Sequence, residues 1–125
     1  MSSRKNVILP KLILSAGDMS ASITSSATNI NFLDNASIQL NFTGAPVGTF
    51  AVQGSLDYSP GINNDPLANA GNWVDLPLSV TPTASGSPDV ILMDLSMLPF
   101  PWIRVVYTRT SGTGSLNYYI VAKEI

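Results

Sequence analysis

The chain has 125 residues, a net charge of −2, and neither cysteine nor histidine. That excludes disulfides, thiolate metal sites and a histidine general base, and it is too near neutral for a nucleic-acid binder. Charged residues make up 11% of the sequence and apolar ones 45%, against about 25% charged in ordinary domains, so the surface is built largely from Ser, Thr, Asn and backbone, which suits a subunit that hides surface against neighbours.

The first apolar run, "VILPKLIL" at 7–14, is interrupted by Pro10 and Lys11 and is far shorter than the ~20 residues of a membrane span. The preceding "MSSRKN" has the look of a signal-peptide start, but "SAGDMSAS" offers a weak cleavage site, and the segment is read as part of the mature protein. Arg4, Lys5 and Lys11 are half of all basic residues, and no acid precedes Asp18. Pro10 restricts the run to an edge strand or an extended arm. Val7, Ile8, Leu9, Leu12, Ile13 and Leu14 would be a hazard in water, so they cover either their own domain or a neighbour's. Residues 1–28 are therefore set apart as an N-terminal extended segment or edge strand, with a β-sandwich domain over 29–125.

Beyond it the sequence falls into short β-branched, aromatic and aliphatic runs separated by Gly, Pro, Asn, Asp and Ser. "NINFL" (29–33) is a short strand candidate. "SIQLNFT" (37–43) alternates, with Ile38, Leu40 and Phe42 on one face. After the tight turn "GAPVG", "TFAVQGSL" is expected to point Phe50, Val52 and Leu56 inward, with Gly54 marking a bulge or a close backbone approach. The loop "DYSPGINNDPLANAGN" follows, then the strand candidates "WVDLPL" (73–78) and "DVILMDL" (89–95). "WIRVVYT" places Ile103, Val105 and Tyr107 opposite Trp102 and Arg104; "SLNYYIVAK" places Leu116, Tyr118, Ile120 and Ala122 on one face. The glycines of "RTSGTGS" suit a turn, and residues 102–123 are expected to form a β-hairpin. About eight strands with this spacing predict an all-β fold, an antiparallel β-sandwich of jelly-roll type.

Chemistry is sparse. The carboxylates are scattered, a Ser–Lys arrangement would need Lys5, Lys11 or Lys123 near the termini, and "SGTGS" lacks the lysine and helix of a phosphate loop. The chain is read as a non-enzyme with no cofactor. The long loop is the candidate ligand site: Asp57, Asn63, Asn64 and Asp65 offer oxygens to a calcium ion, and Asp57, Tyr58, Asn63, Asp65 and Trp73 could meet a glycan. The same residue types are what turns require, and aromatics in sandwiches mostly pack in cores or interfaces. Trp102, fixed by the preceding "PFP", and Arg104 are candidate assembly contacts, because Trp and Arg dominate interface anchors; packing of Trp102 within its own domain is the competing expectation.

"FAVQGSLDYSP…NWVDLP" resembles the strand–turn–strand of discoidin-like jelly rolls. "LDNASIQLNFTGAPVGTFAVQGSLDY" and the closing "PWIRVVYTRTSGTGSLNYYIVAKEI" resemble small β-sandwich proteins encoded in tailed-bacteriophage structural clusters, over residues 33–125. The second resemblance implies a virion component that assembles with itself and with other virion proteins, such as a neck or collar subunit at the head–tail junction or a capsid-decoration protein. Sugar-binding residues do not carry over from the first: its hydrophobic spikes are not reproduced, and its frequent terminal disulfide is excluded here. The sequence reads as a homo-oligomeric structural protein of a virion, with no nucleic-acid or membrane partner and a discoidin-like carbohydrate-binding module as the alternative.

Overall fold

The computed structural model describes residues 7–31, 33–60, 69–96, 98 and 100–124. Ten strands are described and no helix among these residues: β1 (Val7–Asp18), β2 (Ile23–Thr24), β3 (Thr28–Asn29), β4 (Asn35–Gly44), β5 (Val47–Ser55), β6 (Val74–Asp75), β7 (Thr83–Ser85), β8 (Asp89–Leu95), β9 (Trp102–Ser111) and β10 (Gly114–Lys123). They form two antiparallel sheets. The first has the order β1-β10-β4-β8. The second has the order β2-β9-β5-β6, with β3 also paired to β9 and β7 to β5. β2 and β3 act as one broken strand on β9, and β6 and β7 as another on β5. Counted that way there are eight strands, and the two orders are those of a jelly roll.

Period-2 alternation builds the core. Ile38, Leu40 and Phe42 of β4 and Leu116, Tyr118, Ile120 and Ala122 of β10 are buried on the inner face of the first sheet. Phe50 and Val52 of β5 and Ile103, Val105 and Tyr107 of β9 meet them from the second. A tilted ring contact ties the sheets, Phe42 to Phe50 at 5.6 Å between centroids, and Phe50 packs in turn on Tyr107 of its own sheet at 5.0 Å; such pairs add to area burial.

The expected hairpin over 102–123 does not form. β9 pairs with β5 in the second sheet and β10 with β4 in the first, so the turn at Gly112–Thr113 carries the chain between sheets. The turn at Ala45–Pro46 does the same between β4 and β5. The two crossings lie side by side, the Ala45 N–H donating to the Thr113 carbonyl at 2.8 Å. Each strand of such a pair hides one face, which two facing sheets satisfy as well as a single sheet does. A second difference is Leu56: β5 ends at Ser55, and Leu56 is exposed. Among the described residues, "NINFL" gives only Asn29 to the two-residue β3, and "WVDLPL" only the two-residue β6.

β1 is an edge strand, antiparallel to β10 from Val7 opposite Lys123 to Asp18 opposite Ser115, with three register shifts. Ile8, Ile13 and Leu14 pack against the core, whereas Val7, Leu9 and Leu12 are exposed. The matching sheet orders place β1 beside β2 and β3 on one flank of the sandwich, and β8 beside β6 and β7 on the other.

Candidate functional site

Residues weighed separately in the sequence meet at one corner of the second sheet's outer face. Register does the first part: Gln53 of β5 lies opposite both Arg104 of β9 and Asp75 of β6, so all three side chains share that face. The Arg104 Nε–H donates to Gln53 Oε1 at 2.8 Å, and Gln53 Nε2 donates to Asp75 Oδ1 at 2.9 Å. The Arg104 guanidinium lies 4.1 Å from the centroid of the Trp73 ring, a cation–π distance. Partial burial draws its pKa below the ordinary value, and a guanidinium stays charged regardless. Arg104 thus stacks on Trp73, while Trp102 meets the Tyr58 ring edge-on at 4.9 Å. Tyr58 also packs against Trp73 at 5.3 Å.

Short polar contacts bring the ends of the 56–73 loop to this corner. Ser59 and Asn69 exchange two backbone hydrogen bonds at 2.9 Å. The Asp57 carboxylate accepts the Asn72 backbone N–H at 2.7 Å on Oδ1, the Asn72 side-chain amide at 2.7 Å on Oδ2, and the Ser55 hydroxyl at 3.0 Å. Those donors, the Asn72 backbone N–H first, hold the Asp57 pKa below the usual carboxylate range. The Ser55 Oγ in turn accepts the Tyr58 N–H at 3.1 Å, and the Trp73 indole N–H donates to the Ala70 carbonyl at 3.0 Å. Asp57 is therefore engaged by N–H and O–H donors from both ends of the loop and acts as its clasp across fifteen positions. Asn63, Asn64 and Asp65, the other expected oxygen donors, lie outside the described residues; no cluster of three metal-ligating acids occurs among the described ones.

On the core side of the same corner, Gly54 carries no side chain because the Phe100 ring occupies the space: a Cβ there would lie 2.8 Å from the ring. The close approach, rather than a bulge, explains the glycine, since the register of β5 with β9 is continuous at this point. Sequence reasoning had singled out Asp57, Tyr58, Trp73, Trp102 and Arg104 but not Gln53, Asn72, Asp75 or Phe100. Pairing register brings the first and third of these to the site, and a strand pattern alone does not give register.

The N-terminal residues proposed as contacts are not part of this corner. Of eight large apolar side chains exposed among the described residues, Val7, Leu9 and Leu12 lie on β1. Val90 and Leu92 lie on β8, Val74 on β6, and Val80 in the connection from β6 to β7. Six of the eight thus stand on edge strands at the two flanks of the sandwich, Leu56 and Val80 being the exceptions. No family model, curated protein or solved structure matches the chain.

Proposed function

We propose that the chain is a structural building block of a tailed-bacteriophage virion, assembling with copies of itself and with other virion proteins at the head–tail neck or collar. The observation that supports this most is the concentration of exposed apolar side chains on the two flanks. Both sheets end there, and backbone and side chains together offer contacts. Low charge content favours the same reading. The jelly roll is a fold of viral capsid and lectin domains alike, so it is compatible with a virion role without selecting it. The sequence resemblance over 33–125 supplies the phage setting. Capsid decoration is the same reading with a different partner surface. The test is mass spectrometry of purified particles whose genome encodes the chain, with light scattering of the isolated protein over a concentration series. Recovery from particles at a symmetric copy number is expected. Absence from particles together with a strictly monomeric protein overturns the proposal.

Carbohydrate binding is a second reading, favoured by the three aromatic rings gathered beside Gln53, Asp75 and Arg104. A sugar stacks on an open ring face, and Arg104 already takes one face of Trp73. Trp73→Ala separates the cases. Loss of glycan retention at unchanged thermal stability supports binding; a marked fall in melting temperature instead makes the ring a clasp for the loop.

A further inference from the structure

The two edges of the first sheet are built differently. β1 slips register three times against β10 and has no N–H at Pro10. It also bears Lys11, and Ala16 sits at a φ of 52°. Bulges, proline and lysine are the devices by which natural sheets blunt an edge against pairing. β8 has no bulge, proline or lysine, and its two charges, Asp89 and Asp94, accept the Val90 N–H and the Ser37 hydroxyl. It holds one-to-one register with β4 through all seven residues, Asp89 opposite Phe42 to Leu95 opposite Ala36, and its sequence, DVILMDL, contains no proline, glycine or lysine. Its outward side chains Val90 and Leu92 are 59% and 67% exposed. The Val90 N–H is held by the Asp89 carboxylate at 2.8 Å, which places Val90 among the residues whose backbone points away from β4. By alternation, Leu92 and Asp94 turn the same way.

Resting on the building-block reading, we propose that β8 pairs with β8 of a second copy, antiparallel across a twofold axis, so that two four-stranded sheets become one of eight strands. The segment complements itself. A register centred on Leu92 aligns all seven residues, with Asp89 opposite Leu95, Val90 opposite Asp94, Ile91 opposite Met93 and Leu92 opposite Leu92. No carboxylate then faces a carboxylate, and aliphatic side chains fill the centre of the joined outer face. Pairing of β8 with β1 of a neighbour would build a head-to-tail ring, but the bulges and the missing N–H of β1 interrupt that ladder.

Size sets the strength. Seven residues at about 3.3 Å each give a flank about 23 Å long, and two sheets about 10 Å apart with their side chains make it about 20 Å thick. Two copies therefore bury about 900 Å² in total, at the small end of specific contacts. The dimer is accordingly weak in solution, with a dissociation constant on the order of micromolar, and is reinforced where other contacts hold the copies together.

The absence of native cysteine makes the register directly testable on the full chain. In the proposed pairing the two Leu92 Cα atoms stand about 5.5 Å apart, inside the range of about 4.4–6.8 Å that a disulfide spans. Two Val90 positions would be about 13 Å apart, four residues along the strands. With oxidised glutathione, Leu92→Cys is expected to give a covalent dimer at least roughly tenfold faster than Val90→Cys, since only the former meets the distance requirement. Leu92→Lys, at an exposed position that costs the fold little, should weaken the dimer roughly tenfold or more by sedimentation, because it sets like charges opposite each other and removes apolar burial. Equal cross-linking at both positions, a dimer indifferent to Leu92→Lys, or open-ended oligomers overturn the β8 pairing. If the chain is nevertheless recovered from particles, the building-block reading stands without this contact; if it is absent from particles and monomeric, both fall.

Discussion

The hydrogen of Gly54 faces the core where the Phe100 ring presses on β5, and the indole of Trp102 stands on the opposite face two residues further along the chain. Phe100 and Trp102 thus serve opposite sides of the sheet. Gly54→Ala is expected to lower stability by about 1–3 kcal/mol, the range for overpacking, and combining it with Phe100→Leu should recover part of that in a denaturant titration. A glycine that tolerated alanine without loss would mean that the ring moves freely. At Asp57 the expectation concerns pH. Its folded pKa lies below the ordinary aspartate value of 3.8, so its contribution is fully present above that value and is lost as pH falls through the folded one. The loop should therefore loosen in strong acid, seen as a change in Trp73 and Trp102 fluorescence. Asp57→Asn should lessen the pH dependence of that signal below pH 3.8; an unchanged acid profile would assign it to other groups, Asp18 among them, which the Ser20 N–H also holds low.

At the scale of elements, the alternating runs made the strands legible and left their sheets undetermined. Ile103, Val105 and Tyr107 on one strand and Leu116, Tyr118 and Ile120 on the next mark which side faces the core. A hairpin and a crossing between sheets demand the same marking. What selects the crossing is the turn: Gly112 sits at a φ of 75°, and a Cβ there would collide with the Ala45 carbonyl oxygen of the neighbouring crossing. Gly112→Ala should accordingly cost about 1–3 kcal/mol, measured by chemical unfolding; a neutral substitution would show that the two crossings can separate. The aromatic corner was half legible. Tyr58, Trp73, Trp102 and Arg104 were visible as residue types, while their meeting depends on Gln53 standing opposite Arg104 and on Asp57 closing a loop across fifteen positions. The plain aliphatic run of β8 was visible as a strand. Its meaning as an unblunted edge appears only once β4 is known to cover one side and no described strand the other.

For the whole molecule, the N-terminal segment was open to two readings, an edge of its own domain or an arm toward another. Here it hydrogen-bonds along β10 and sends Ile8, Ile13 and Leu14 onto the core. Deleting residues 1–14 is therefore expected to abolish a cooperative thermal transition by circular dichroism, because it bares β10 and the apolar side chains beneath. A truncated chain that melted cooperatively would return the segment to the role of an arm. The position of β10 between β1 and β4 also has a consequence for synthesis and refolding. β1 is made before every other described strand, yet its partner β10 is the last of them, and such distant pairing is slow to form. Through that interval the apolar 7–14 run has no ladder to join and is open to other unfinished chains. Refolding yield should fall as concentration rises: the strand with the most exposed apolar side chains is the one that waits longest, and crowding among nascent copies, rather than weakness of the finished sandwich, sets how much of the chain reaches it.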